Sequence, residues 1–183
     1  MYSDDYGQTW QLGGDLSGPY LSSECQAVQF ENGTVFINAR TNLPERVQAV
    51  SYDDGITFEQ TVMIKRPIIE PLGGCEGSTI RHPLNNWLFF SIPNNVSAER
   101  YNVSIWISTD DASSWEFYKV IEPGKSAYSA LAVLPDNSVA LLFERSKLPS
   151  FIFIPEHISF TIIWTPSSSF RNESKKLEKI VQE

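Results

Sequence analysis

Five residues beside predicted strands have side chains that could act together in catalysis: Glu24, Arg40, Arg100, Tyr128 and Glu144. Two arginines present planar forks of N–H donors and can hold one carboxylate from both sides. A tyrosine beside a glutamate is a phenol with a base attached, and a phenol with the ordinary pKa of about 10 needs that base to act near neutral pH. These residue types favour a site that grips a carboxylate and activates a phenol.

A predicted hairpin positions the first acid and the first arginine. Short apolar runs at 24–30 and 34–40 lie on either side of the pair Asn32-Gly33, which is a strong hairpin signal. Because the two strands would be antiparallel, Glu24 and Arg40 should lie at the same end of the hairpin.

A second predicted hairpin carries the tyrosine and the other acid. Its strands are expected at 127–134 and 139–143, with Tyr128 opening the first strand and Glu144 following the second. The second strand is almost wholly apolar, so a carboxylate at its end needs a partner. A strand at 117–120 is expected before this hairpin, with a Gly-Lys-Ser loop separating the two.

One octamer occurs three times in degenerate form, beginning at residues 3, 51 and 108. Each copy fits Ser-x-Asp-x-(Gly/Ala)-x-(Thr/Ser)-aromatic, as in Ser51-Tyr-Asp-Asp-Gly-Ile-Thr-Phe58. A repeat of about 50 residues with short strands between the copies predicts an all-β propeller. Each unit of such a propeller is one small antiparallel sheet, which cannot bury its faces alone.

The repeated octamer is interpreted as a hairpin turn, not as a metal or catalytic site. Its Ser and Asp side chains would accept bonds from turn N–H groups, its Gly would supply a positive φ, and its aromatic residue would lie under the hairpin. Asp4, Asp53 and Asp110 are assigned as the turn carboxylates, which on different blades cannot converge. Ala112 replaces Gly in the third copy, so that turn should be strained or differently shaped.

Composition narrows the possible partners. The chain has 183 residues, 42% of them hydrophobic and 13% aromatic, and a net charge of −8. That charge disfavours nucleic acid and anionic membrane surfaces. No apolar run approaches the roughly 18 residues of a membrane span, and no signal peptide is visible. No cofactor or metal is predicted, since His82 and His157 have no metal-ligand spacing.

The sequence gives weaker signals for the cellular compartment and for the structure of the carboxyl-terminal segment. Four sequons favour lysosomal or extracellular targeting mildly: Asn32, Asn95, Asn102 and Asn172. Cytosolic and membrane-associated locations stay open. A last strand is expected at 158–163, and residues 167–183 are predicted to form a charged, possibly helical tail.

These motifs together resemble the carboxyl-terminal half of exo-α-sialidases (neuraminidases) of the animal and bacterial type. The resemblance implies an all-β fold of about three to four blades of a six-bladed propeller, each a four-stranded antiparallel sheet, over residues 1–166. The octamers resemble the family's Asp boxes. The other segments that carry the resemblance, which extends from residue 3 to about 164, are Ser23-Glu-Cys-Gln-Ala-Val-Gln-Phe30, Val35-Phe-Ile-Asn-Ala-Arg40, residues 46–58, Gly74-Cys-Glu-Gly-Ser78, the region from Phe89 to Arg100, Ala127-Tyr-Ser-Ala-Leu131 and Leu142-Phe-Glu144.

The resemblance implies a role for each candidate residue. Tyr128 would be the nucleophile and Glu24 its general base, since sialidases are glycosidases with a tyrosine nucleophile. Arg40 and Arg100 would bind the carboxylate of sialic acid, and Glu144 would orient the family's first arginine. The implied partners are sialylated glycans, with hydrolysis of terminal sialic acid as the reaction.

The chain departs from the family pattern in three places. The family's first arginine, in an Arg-Ile-Pro motif, and its acid/base aspartate belong to the amino-terminal half of the propeller, and neither motif occurs here. That half is therefore an implied partner, and the chain alone should be inactive or nearly so. Glu76 stands where animal relatives usually carry Gln.

Other interpretations stay open at this stage. Tyr128 could be a core residue, Glu144 could pair only with Arg145 in solvent, and Arg81 could take the place of Arg100. A non-catalytic sialic-acid-binding or Asp-box propeller would share the repeats without the chemistry. A trans-sialidase would use the same residues to pass the sugar to another glycan.

Overall fold

The computed structural model describes residues 1–16, 22–43, 45–59, 62–64, 68, 70–148 and 154–165. These residues form ten β-strands and, within the ranges given, no helix. The predicted tail at 167–183 lies outside the described residues. The strands are β1 (Ser22–Gln29), β2 (Val35–Thr41), β3 (Arg46–Ser51), β4 (Val62–Ile64), β5 (Ser78–Arg81), β6 (Leu88–Pro93), β7 (Tyr101–Ser108), β8 (Glu116–Val133), β9 (Val139–Ser146) and β10 (His157–Trp164).

The first sheet is an antiparallel meander in the order β1-β2-β3-β4. The Asn32-Gly33 pair closes the β1–β2 hairpin, with Gly33 at a φ of 87°. The register places Gln29 opposite Val35 and Cys25 opposite Ala39. This hairpin was predicted and is confirmed, and its open end carries Glu24 and Arg40.

The second sheet has six strands in the order β10-β9-β8-β7-β6-β5. Its central strand, β8, runs without a break for 18 residues, so the loop predicted at 124–126 is wrong. The strand continues because Lys125 pairs with Tyr101 on β7 and with Ser146 on β9, while register shifts absorb the irregular stretch around Gly124. One further shift, between Ser126 and Ser129, makes a bulge opposite β9.

The three octamers form turns with one shared hydrogen-bond pattern. In the second, Ser51 Oγ donates to Asp53 Oδ1 at 2.7 Å, and Thr57 donates its N–H and hydroxyl to the same carboxylate at 2.8 and 2.6 Å. The first turn repeats this with Asp5, so the assignment of Asp4 is wrong by one residue. These bonds, led by the one from the Thr57 hydroxyl, lower the pKa of Asp53 to about 2.

The third turn keeps the same shape despite the substitution of Gly. Ala112 has a φ of 67° and its N–H donates to Ser108 Oγ at 3.0 Å. The predicted strain is therefore present, because an L-residue disfavours positive φ. The aromatic residue lies under the hairpin in this copy, where Trp115 is 4% exposed, but Trp10 of the first copy is 60% exposed.

The side chains that alternate along β6 enter two hydrophobic clusters, one shared with the first sheet and one formed within the six-stranded sheet. On β6, Phe90 is buried with Phe36 of the first sheet, whereas its neighbour Phe89 is buried with Leu141 of β9. Both β6 aromatics are fully buried. The predicted all-β class is thus confirmed, with successive antiparallel units packed on one another.

Side chains connect β1, β5 and β8. Gln26 Oε1 on β1 accepts the Thr79 N–H of β5 at 2.6 Å, and Ser78 Oγ on β5 accepts the Leu131 N–H of β8 at 2.9 Å. These bonds bring the strand that carries Glu24 and the strand that carries Tyr128 to the same region. Within the described residues no helix is both long and apolar enough to cross a bilayer.

Candidate active site

Tyr128, Glu24 and Arg40 form one hydrogen-bonded group. The Tyr128 hydroxyl donates to Glu24 Oε1 at 2.6 Å, and Arg40 Nη1 donates to Glu24 Oε2 at 2.7 Å. The same Arg40 nitrogen lies 3.5 Å from the Tyr128 hydroxyl. Glu24 and Tyr128 are 104 residues apart in the sequence, so this contact depends on how the two sheets stack.

Strand ends and a β-bulge orient the side chains of Glu24, Arg40 and Tyr128. Glu24 lies at the irregular end of β1, where the register shifts between Ser22 and Cys25, and Arg40 lies near the end of β2. Tyr128 lies in the β8 bulge. Bulges of this kind re-aim a side chain and are frequent at active sites.

Arg40 is held from behind by the segment before β5. Its Nη2 and Nε donate to the Gly73 carbonyl at 2.9 and 3.3 Å. Gly74 has a φ of 70°, and a Cβ at this position would collide with the Thr41 carbonyl oxygen and lie 2.9 Å from Arg40 Cγ. A glycine is therefore required here for the chain to approach the arginine.

Arg100, and not Arg81, approaches the tyrosine. The Arg100 guanidinium lies over the Tyr128 ring, 5.1 Å from its centroid, which is a cation–π contact. Arg81 instead forms an ion pair with Glu31 at 3.2 Å and a hydrogen bond with Asn86. Of the two arginines considered from the sequence, Arg100 is the one beside the candidate site.

Glu144 contacts the backbone of the tyrosine. Its Oε2 accepts the Tyr128 N–H at 3.2 Å. Arg145 donates its Nε proton to Ser159 Oγ at 2.6 Å. Glu144 therefore has a partner within the β8–β9 hairpin, which the interpretation as a solvent pair with Arg145 did not foresee.

Glu76 is a residue of the site to which the sequence gave no role. Its Oε2 accepts the Ser129 N–H at 3.2 Å. Together with Tyr128, Glu144 and the apolar side chain of Leu142, it lines a cavity of about 260 Å³. The available signal was its place in the Gly-Cys-Glu-Gly-Ser motif, whose structural purpose the sequence alone does not reveal.

The protonation states at rest follow from these contacts. Desolvation by burial acts to raise the pKa of Glu24, but the hydrogen bonds from Tyr128 and Arg40 and the charges of Arg40 and Arg100 outweigh it, so the pKa lies below its ordinary value. The hydrogen bond to Glu24, aided by burial, raises the pKa of Tyr128. Near neutral pH the site therefore holds a neutral phenol beside an ionised carboxylate.

The group is reachable from solvent. The side chains of Arg40 and Glu24 are 21% and 35% exposed. A free carboxylate could thus approach the two arginines while the Tyr128–Glu24 pair stays in place. In the part of the chain that the structure describes, no group of three or more His, Cys, Asp or Glu side chains is arranged to hold a metal ion.

Comparisons with known proteins place the chain among similar sequences and folds. A model of the BNR repeat-like domain matches residues 1–141. Sialidase-2 of Cricetulus griseus is 31% identical over 83% of this chain and 44% of its own length. A sialidase of Micromonospora viridifaciens is 32% identical over 79% of this chain and 23% of its own length. The chain thus spans less than half the length of these curated relatives.

A solved structure supports the fold class. The intramolecular trans-sialidase from Ruminococcus gnavus, determined in complex with oseltamivir carboxylate, has a TM-score of 0.72 and 26% identity to this chain. The match covers 87% of this chain and 36% of that one. The predicted partial β-propeller agrees with this likeness.

Proposed function

The chain belongs to the BNR repeat-like domain family, and we propose that it carries the nucleophile and two of the carboxylate-binding arginines of an exo-α-sialidase. The substrate would be terminal α-linked sialic acid on glycoproteins, glycolipids or oligosaccharides. The observation that carries the proposal is the 2.6 Å hydrogen bond from the Tyr128 hydroxyl to Glu24, with Arg40 on the other oxygen of the same carboxylate. The similarity to sialidases supports it.

Binding of the substrate would rely on the two arginines. Arg40 and Arg100 approach Tyr128 from different elements, so the carboxylate of sialic acid could be held between their guanidinium groups. That carboxylate is attached to the anomeric carbon. Holding it therefore brings the carbon under attack close to the tyrosine hydroxyl.

The chemistry would use a neutral nucleophile. An anionic side chain would be repelled by the substrate carboxylate, whereas a phenol that loses its proton to Glu24 during attack avoids that cost. The Tyr128 oxygen would bond to the anomeric carbon as the bond to the departing glycan breaks, and a general acid would protonate the glycan oxygen. Water would then release sialic acid and restore the phenol, with overall retention of configuration.

The family resemblance assigns that general acid and a further arginine to residues that do not occur among these 183. We therefore expect the chain by itself to show little or no turnover, because the loss of such a group typically costs about 10²–10³ in rate. Activity is best measured in the complete native protein.

The test is the variant Tyr128→Phe. With a fluorogenic sialoside, turnover should fall by at least about 10³, because no covalent intermediate can form. A fluorinated sialic acid that traps the intermediate should label Tyr128 in the wild type, as read by peptide mass spectrometry. The matched control is Tyr101→Phe, which removes the phenol of another tyrosine–glutamate pair, with Glu99, and should leave turnover intact. Undiminished hydrolysis by Tyr128→Phe would rule out the proposed mechanism.

The likeness to an intramolecular trans-sialidase favours a second candidate, in which the covalent intermediate is attacked by a sugar hydroxyl instead of water. Incubation of a sialoside with lactose, followed by mass spectrometry of the products, separates the reactions. Free sialic acid supports hydrolysis, sialylated lactose supports transfer, and an anhydro sugar supports intramolecular transfer. Binding of sialic acid without any product would favour a binding-only propeller.

A further inference from the structure

Two neighbouring backbone amides at the tyrosine have carboxylates as partners. The Tyr128 N–H donates to Glu144 Oε2 and the Ser129 N–H to Glu76 Oε2, both at 3.2 Å. Glu144 belongs to β9, the strand paired with β8, whereas Glu76 precedes β5. The bulge that displays Tyr128 is thus held by acids from two different elements.

The Glu76 contact is part of a regular arrangement between two chain segments. Ser129 and Leu131 are alternate residues of β8, and their N–H groups donate to the alternate side chains of Glu76 and Ser78. Ser129 is buried, at 7% exposure. A buried N–H without an acceptor is costly, so Glu76 supplies a bond that the fold needs at this point.

The backbone around Glu76 is itself firmly held. The Cys75 carbonyl accepts Arg46 Nη1 at 2.8 Å, and the Cys75 N–H donates to Glu70 at 3.4 Å. On the other side, a Cβ at Gly77 would lie 2.7 Å from the ring of Phe90. Because the backbone on both sides of Glu76 is confined, the position of its carboxylate is fixed, and the carboxylate can hold β8 in place.

We propose that Glu76 is a positioning residue, which fixes the Tyr128 bulge of β8 by accepting the Ser129 N–H and so keeps the phenol on Glu24. The catalytic consequence rests on the proposed function, whereas the structural consequence does not. Glu76 acts through the backbone, so a neutral side chain with an acceptor at the same place should serve. Glutamine provides that acceptor and leucine does not.

The experiment compares Glu76→Gln and Glu76→Leu in the complete native protein. Three readouts are used: exchange of the Ser129 amide, the NMR signal of 13C-labelled Tyr128, and kcat and KM with a sialoside. Glu76→Leu should raise Ser129 exchange, shift the tyrosine signal and lower kcat by about 10- to 100-fold with little change in KM, since small misplacements of reacting groups are costly. Glu76→Gln should stay within about threefold of wild type in kcat.

Asp136→Ala is the control for a general loss of hairpin stability. It removes the acceptor of the Ser138 N–H in the turn between β8 and β9, eight residues beyond Tyr128, and should raise Ser138 exchange while leaving the tyrosine signal and kcat near wild type. The proposal is overturned if Glu76→Leu keeps wild-type Ser129 exchange and tyrosine signal, or if Glu76→Gln loses as much as Glu76→Leu. If the wild type hydrolyses no sialoside, the proposed function fails, and the exchange and NMR readouts still decide the role of Glu76.

Discussion

Replacing Arg46 by methionine should destabilise the protein strongly, because Arg46 is a buried cation with three partners. Its side chain is 1% exposed, as is that of Glu70, and their closest atoms are 3.1 Å apart. Arg46 also donates to Asn38 Oδ1 at 2.6 Å and to the Cys75 carbonyl at 2.8 Å. The variant leaves all three acceptors buried without this donor.

The size of the effect follows from the isolated carboxylate. Removing one partner of a buried ion pair typically costs about 3–5 kcal/mol, against a total stability of roughly 5–15 kcal/mol for a domain. Replacing both partners, in Arg46→Met with Glu70→Leu, should restore part of the loss, because no charge is then left buried.

The stability that Arg46→Met loses should depend on pH in a definite direction. Burial raises the pKa of Glu70, and Arg46 acts in the opposite direction. For a group whose pKa is raised on folding, the stabilising contribution is complete below the unfolded-state pKa and is lost as pH rises through the folded-state pKa. Without Arg46 the pKa of Glu70 rises further. The loss in Arg46→Met should therefore be smallest near about pH 4 and grow towards about pH 7.

Urea unfolding of the native protein at these two pH values measures both effects. Lys147→Met is the matched control, since it removes an exposed cation, and should change stability by no more than about 0.5 kcal/mol. If Arg46→Met is no less stable than Lys147→Met, or if its loss is equal at both pH values, the buried charge does not carry the stability assigned to it.

Three further outcomes follow from single contacts. Ala112→Gly should change stability by no more than about 0.5 kcal/mol in the same unfolding assay, because relief of a φ of 67° offsets the loss of a methyl group that is 3% exposed; a loss above about 1 kcal/mol would contradict the strain. Alkylation of the native protein should modify exposed Cys25 and spare Cys75, since burial raises the pKa of the Cys75 thiol to about 12; peptide mass spectrometry reads this, and early labelling of Cys75 would contradict it. Arg40→Lys should lower kcat/KM for a sialoside by about 10- to 100-fold, because lysine cannot reach Glu24 and the Gly73 carbonyl together; near-normal kinetics would contradict the role of the fork.

Local signals predicted the parts of the site that depend on a single hairpin. The Asn32-Gly33 turn fixes the register of β1 and β2, so the proximity of Glu24 and Arg40 followed from counting residues away from it. The octamers were equally predictable as turns, since their bonds join residues at most four apart. The slip from Asp5 to Asp4 is an error of alignment within a correct motif.

Contacts between the two sheets could not be predicted from local sequence signals. Nothing in the pattern near Tyr128 specifies Glu24 as its partner, and only the family resemblance suggested the pair. The break predicted at 124–126 failed for a related reason. Gly and Pro usually end a strand. Here both β7 and β9 pair with Lys125, so β8 continues past Gly124.

The partners of each carboxylate separate structural acids from acids available for chemistry. Glu76 and Glu144 accept backbone N–H groups, which are part of the fold and cannot be exchanged for a ligand without disturbing β8. Glu24 is bonded to a phenol and a guanidinium, both of which belong to side chains and not to the backbone. Three acids thus surround one tyrosine, and of these Glu24 is the one that accepts a hydrogen bond from the phenol, so we expect Glu24, and not Glu76 or Glu144, to take the phenol proton.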